Sequence, residues 1–150
     1  MELINEIETL NRDNLIAVCK YLHGYKGNWE LLSSVLGSVS FNNGYGTNFI
    51  EPINKNFSSM YMHIYTNGSA SVGLIGSFEL RFSDLVSLFG EYRNVYVPYD
   101  DHFMYFFNEN SSFGYFCVST FSENDIQTIK DWPITRIDIK LVSKFLNDNC

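Results

Sequence analysis

From about residue 58 the chain alternates between apolar and polar positions. Met60, Met62 and Ile64 fall on one side of a run over 59–65, and Tyr61, His63 and Tyr65 on the other, the period-two signature of a strand. Asn67-Gly68 follows, and residues 70–75 resume an extended pattern. An Asn-Gly pair between two such runs predicts a hairpin with a type I′ turn, because both residues tolerate positive φ. Phe78, Leu80 and Phe82 alternate with Glu79 and Arg81 as a third strand. Ser83 then caps a short helix over 84–89, with Leu85, Leu88 and Phe89 inward and Gly90 as its stop. A strand over 95–97 ends at Pro98, the runs 103–107 and 113–121 predict a second hairpin, and 134–142 sets Ile137, Ile139 and Leu141 against Asp138 and Lys140.

The first 40 residues have a different period. Leu3, Ile4, Ile7 and Leu10 fall at helical spacing; Asn11 caps a second helix bearing Leu15, Ile16, Cys19 and Leu22, ended by Gly24. Asn28 caps a third through Trp29, Leu32 and Leu36, stopped by Gly37. The stretch 41–48, with three Asn and two Gly, reads as a loop. The expected architecture is a single α+β domain over 1–150, helical over 1–40 and mainly β over 58–145, with a short helix near 83–89. Its N-terminal helices pack on one face of a mostly antiparallel, curved sheet.

Composition narrows the function. A chain of 150 residues, 45% hydrophobic, can bury roughly 70% of its unfolded surface. Aromatics at 17% are too many for a disordered acidic tail. The formal charge of −7 disfavours a phosphate-backbone binder and adhesion to an anionic membrane. The start, Met1-Glu2-Leu3-Ile4-Asn5-Glu6, is acidic, unlike a secretory signal, and no apolar run is long enough for a transmembrane helix. Asn67-Gly68-Ser69 matches a glycosylation acceptor, but without a secretory route it reads as a turn. Three scattered cysteines, Cys19, Cys117 and Cys150, with no Cys-x-x-Cys pair, fit free thiols in a reducing cytoplasm.

Signatures of catalysis are missing. His23 sits at a helix end, where a cation complements the dipole, and His63 shares a strand face with Tyr61 and Tyr65. Asp100-Asp101-His102 is the densest polar cluster, but neighbours in an extended chain point apart, so a polar turn is the simpler reading than a metal site. Cys19 lies on an apolar stripe, and Cys117 sits amid aromatics with no evident cation to lower its pKa. There is no Gly-x-Ser-x-Gly elbow and no phosphate-cradling glycine motif. No cofactor and no metal are expected.

What remains is surface character. Acids recur beside aromatics at Glu91-Tyr92, at Tyr99-Asp100-Asp101, at Glu109, and at Glu123 with Asp125. Carboxylates beside exposed rings suit a basic protein, whose Arg and Lys pair with the acid and stack on the ring. The interface is therefore expected at Tyr99, Asp100, Asp101 and Glu109, with Glu91, Glu123 and Asp125 nearby. Asn42, Asn43, Tyr45 and Asn48 form a candidate second recognition loop.

The segment Leu80-Arg81-Phe82-Ser83-Asp84-Leu85-Val86-Ser87-Leu88-Phe89-Gly90-Glu91, then Val95-Tyr96-Val97-Pro98-Tyr99-Asp100-Asp101 and the aromatic run 103–107, carries a short helix, a Phe-Gly-Glu stop and an aromatic hairpin. In this it resembles small cytoplasmic immunity proteins, the neutralising partners of bacterial contact-dependent inhibition and polymorphic toxins. The resemblance implies a non-catalytic protein that binds a cognate basic, nuclease-type toxin one to one, its carboxylates occupying a cleft built for phosphates. The rival expectation is a small-molecule-binding domain or modest enzyme, with a pocket between helices and sheet lined by Tyr61, His63, Tyr65, Tyr105 and Tyr115. A third is a regulatory protein that mimics nucleic acid.

Overall fold

The computed structural model describes residues 2–109, 115–121 and 123–141. Eight strands form one antiparallel sheet: β1 (Gly37–Asn42), β2 (Thr47–Pro52), β3 (Phe57–Ile64), β4 (Ala70–Gly76), β5 (Tyr92–Val97), β6 (His102–Phe107), β7 (Tyr115–Phe121) and β8 (Arg136–Leu141). Their order across the sheet is β1-β2-β3-β4-β8-β7-β6-β5. Two four-stranded meanders thus meet at the β4–β8 pair. Four helices accompany them: α1 (Leu15–His23), α2 (Trp29–Leu36), α3 (Phe82–Phe89) and α4 (Ile126–Ile129). The protein is α+β, as the two periodicities predict.

Strand register explains where the core lies. Met62, Val72, Ile139, Phe116, Phe107 and Tyr92 are consecutive cross-strand partners, and the first five are fully buried. Beside them run Ile50, Met60, Leu74 and Ile137. The helices cover this one face. Leu15, Val18, Cys19 and Leu22 of α1 and Trp29, Leu32 and Leu36 of α2 join the same buried cluster. Phe82, at the start of α3, sets its ring edge-on to Tyr105, Phe107 and Tyr92 at 4.9–5.7 Å.

Several local expectations hold for their stated reasons. Asn28 Oδ1 accepts the Leu31 N–H and caps α2, which ends at Gly37. Helix α3 stops at Gly90, where φ is +72°. The β3–β4 hairpin forms at Asn67-Gly68, although of the two only Gly68 (φ +90°) takes the left-handed region. The Tyr65 and Ser69 backbones bond across residues 66–68, giving a three-residue loop instead of a type I′ turn.

Other expectations are corrected. The helix over Leu3 to Leu10 shortens to a 3-10 turn, Leu3–Asn5, because Asn54 Nδ2 donates to the carbonyls of Ile4 and Ile7 and pins the segment. Asn11 does not cap α1 directly; its Oδ1 accepts the N–H groups of Asp13 and Asn14, one turn ahead of Leu15. The loop expected over 41–48 contracts to 43–46, and its flanks are the ends of β1 and β2. Asn side chains build that turn: Asn42 Oδ1 accepts from Gly44 N–H and Asn43 Oδ1 from Tyr45 N–H. The strand expected at Phe78, Leu80 and Phe82 is not one. Glu79 N–H donates to Leu10 O, Ile134 N–H to Leu80 O, and Phe82 already opens α3. Ser83 gives way to Arg81 at the N-cap, whose N–H is held by Asp84 Oδ2 at 2.8 Å. The short helix expected near 83–89 is α3, and α4 is a further helix within the mainly β part of the chain.

Candidate functional site

The face of the sheet turned away from the helices carries the polar chemistry. Its central row crosses all eight strands in register: Phe41, Phe49, Tyr61, Gly73, Asp138, Cys117, Phe106 and Arg93. A second row joins Thr47, His63, Ser71, Lys140 and Tyr115. These are the alternate residues to the core rows, which is why one sequence pattern supplies both faces.

Gly73 makes the centre of this face possible. A Cβ there would lie 1.9 Å from Tyr61 Cε1, so the tyrosine ring lies flat across β4 only because the position is glycine. Tyr61 then meets Arg136 from β8. The guanidinium carbon stands 5.1 Å from the ring centroid, and NH2 donates to Tyr61 Oη at 2.9 Å. Arg136 Nε also lies 3.4 Å from Asp138 Oδ2. Gly73→Ala is expected to displace the ring and release Arg136. The Arg136 methylene proton resonances, shifted by the ring in the native protein, should return to ordinary positions by NMR, with the fold retained because the obstructing atom is a side-chain edge.

Asp138 is 8% exposed and its Oδ1 has no hydrogen-bond partner. Burial pushes its carboxyl up to about 6, and the Lys140 charge opposes that rise only in part. Its neighbour Cys117 is buried too, and desolvation raises the thiol to about 11 despite Lys140, Arg136 and Arg93. A thiol so placed is protonated at neutral pH and is no nucleophile. Cys19, fully buried in α1, is shifted in the same direction by the same cause. Cys150 lies outside the described residues.

Between β2 and β8 the open face dips into a groove of about 380 Å3. Phe49, Tyr61 and Tyr65 give it aromatic walls, while Arg136, Lys140 and His63 give it charge and ring nitrogens. Thr47 Oγ1 lies 2.6 Å from His63 Nδ1, and the His63 ring stands edge-on to Tyr65 at 4.5 Å. Three of the five residues expected to line a pocket, Tyr61, His63 and Tyr65, therefore do share one, but on the outer face instead of between helices and sheet. Tyr105 is on the opposite, buried face, its Oη donating to Asn124 Oδ1 at 2.7 Å. Tyr115 shares the open face but lies across β8 from the groove, opposite Lys140. Arg136 and Lys140 were the residues missed. Their alternation with Ile137 and Ile139 marked a charged face, but nothing local placed β8 beside β4.

The acidic residues fall into two groups at opposite ends of the β5–β6 hairpin, about 17 Å apart along a six-residue strand. At one end the turn holds Tyr99, 98% exposed, with Asp100 and Asp101. Asp101 sits at φ +48°, and its Oδ1 accepts from Tyr96 Oη at 2.6 Å. Asp100 Oδ2 is 4.0 Å from His102 Nδ1. At the other end are Glu91 and Glu109. Both Glu109 oxygens accept from Arg93, at 3.0 and 2.9 Å, so its charge is already matched. Glu123 and Asp125 serve the backbone: Glu123 Oε1 accepts the N–H groups of Asn124 and Asp125, and Asp125 caps α4 through Gln127 N–H.

In the candidate recognition loop, Tyr45 is exposed while the Asn side chains mainly hold the turn. Among the described residues no group of three His, Cys, Asp or Glu side chains is arranged to hold a metal ion, and no helix is long and apolar enough to cross a membrane. Compared with known proteins, the chain matches no family model, no curated protein and no solved structure.

Proposed function

We propose that this protein is a non-catalytic, stoichiometric inhibitor that binds a basic protein, in the manner of an immunity protein neutralising a cationic, nuclease-type toxin in the cytoplasm. The observation that carries this reading is the β5–β6 turn. Tyr99 projects almost fully into solvent with two carboxylates directly after it in the turn, and a Tyr96–Asp101 hydrogen bond ties the turn to β5. An exposed aromatic anchor next to two acids is a fit for Arg and Lys on a partner, and holding the turn in advance reduces the ordering cost of binding. The net charge of −7 adds electrostatic steering toward such a partner. Asp100 and Asp101, with Glu91 beyond them, are the docking acids. Glu109 is tied to the same hairpin through Arg93, while Glu123 and Asp125 hold the backbone leading into α4. The buried, protonated thiols are in keeping with a protein that performs no covalent chemistry.

The test is binding to the basic product of the adjacent gene, purified with and without this chain. A one-to-one complex that protects cells from that product is the expected result. The double substitution Asp100→Lys and Asp101→Lys is expected to slow association by roughly tenfold at low salt and flatten its salt dependence, while Tyr99→Ala accelerates dissociation. Unchanged kinetics in both variants would place the interface elsewhere. Substrate turnover by the purified chain, abolished by a single histidine or cysteine substitution, would overturn the inhibitor reading itself.

A further inference from the structure

A second feature stands apart from the docking turn, on the other half of the sheet, and does not depend on the inhibitor reading. We propose that the groove between β2 and β8 is a binding site for a small planar aromatic anion of nucleotide size, its ring stacked beside Tyr61 and Arg136 and its phosphate or carboxylate held by Lys140, His63 and Ser71. Shape, charge and donor placement each support it.

The groove owes its depth to the small residues of β4, Ser71 and Gly73, between the large side chains of β3 and β8, and Ile75 of the same strand also lines it. Its volume of about 380 Å3 lies at the small end of the range that holds organic ligands, enough for a nucleoside monophosphate and too little for a folded partner. In a chain of formal charge −7, every formally charged side chain lining it is a cation. No carboxylate among the described residues lies within ion-pair distance of Lys140, whereas the remaining surface acids lie elsewhere or have partners. An anion at Lys140 gains a charge-assisted bond without displacing an internal one, whereas Arg136 already has Asp138 Oδ2 3.4 Å from its Nε.

The two cations have separate tasks. They sit four residues apart on the same face of β8, about 13 Å between Cα atoms. Lys140 is in the row with His63, Ser71 and Thr47, which gathers an ammonium, an imidazole and two hydroxyls at one pole. Arg136 is in the other part of the groove, held over the Tyr61 ring by its bond to Tyr61 Oη. A guanidinium fixed beside a tyrosine ring offers a further flat ring both a π-face and a cation to stack on. Phe49 and Tyr65 close the sides. A ligand with a ring at one end and an anion at the other satisfies both poles; a bare anion or a bare ring satisfies one.

Calorimetry and 15N NMR of the intact chain test this with four probes: adenosine monophosphate, indole carboxylate, adenosine and inorganic phosphate. Saturable binding of at least one of the first two is expected, with shifts confined to β2, β3, β4 and β8, and with adenosine and phosphate at least roughly tenfold weaker. Which of the two aromatic anions binds tighter separates a phosphate ligand from a carboxylate one. Lys140→Gln and His63→Gln should each weaken binding several-fold, and Arg136→Gln likewise, while Arg93→Gln on the far side of the same face should not. If one of the three groove variants fails to fold, as judged by circular dichroism, the remaining two and the wild-type shift map still decide. Absence of saturable shifts up to about 10 mM of both aromatic anions, or binding that survives Lys140→Gln and Arg136→Gln unchanged, would overturn the proposal.

Discussion

Asp138→Asn is expected to stabilise the protein by about 3 kcal/mol at pH 7.5, and to give no advantage below about pH 4. The carboxyl titrates at about 6 in the folded chain, against an ordinary value of 3.8, chiefly because burial penalises its charged form. The folded state therefore holds this proton more tightly than the unfolded state. Below the unfolded value both states are protonated, and the side chain sits in the sheet without a desolvated charge. As pH rises from about 4 through about 6, the unfolded chain ionises first and the folded chain must follow at a penalty, so stability falls across that window. Asparagine has no such transition. Urea denaturation of both proteins at the two pH values checks the sign: the gap should open with rising pH and close with falling pH. Equal stability at both would mean that the folded carboxyl titrates at its ordinary value.

Phe82→Ala is expected to destabilise by about 3–5 kcal/mol, a large part of the stability of a domain this size. The ring is fully buried and stands edge-on to three aromatics from β5 and β6. It also ties the start of α3 to the segment leading into β8, since its N–H donates to Trp132 O at 3.0 Å, while Phe89 packs the other end of the helix on Phe107 and Phe116. Alanine keeps that hydrogen bond and opens a cavity between helix and sheet. Phe82→Leu, which refills most of the volume, should recover more than half of the loss in the same denaturation experiment. The turn that carries Tyr99 belongs to the β5–β6 hairpin behind this ring, so Phe82→Ala should also broaden the Tyr99 resonances before global unfolding.

The elements that could be read from the chain alone are those whose signals are local. The β3–β4 hairpin announces itself by alternation around Asn67-Gly68, and α2 by its Asn28 cap and Gly37 stop. The β1–β2 hairpin was hidden because its asparagines and glycines, which belong to a four-residue turn, dilute the strand signal on both sides. Phe78 to Phe82 shows the opposite failure. Its alternation is real, but Phe78 packs on Phe57 and Phe82 begins a helix, because single bridges to Asn11 and Pro133 replace a full ladder. At the site, Tyr61, His63 and Tyr65 were visible as one face of one strand. Asp138 and Lys140 were visible as one face of another, without Arg136. That the two faces adjoin depends on β8 pairing with β4, a contact across more than sixty residues that no local pattern encodes. The acidic surface suffered from the same limit: sequence proximity to aromatics could not tell that Arg93 already neutralises Glu109.

The position of β8 has a consequence for how the chain matures on the ribosome. The strand that bridges the two meanders is made after the seven others, so each half emerges with its inner margin, β4 or β7, unpaired. A nascent chain is thus sticky at two places until Arg136 to Leu141 clears the exit tunnel, and chaperone capture is most valuable in that interval. The same six residues deliver both cations of the groove. Any product that stops short of them lacks both groove cations as well as the seam, and it is open to proteolysis before it could compete with the finished protein.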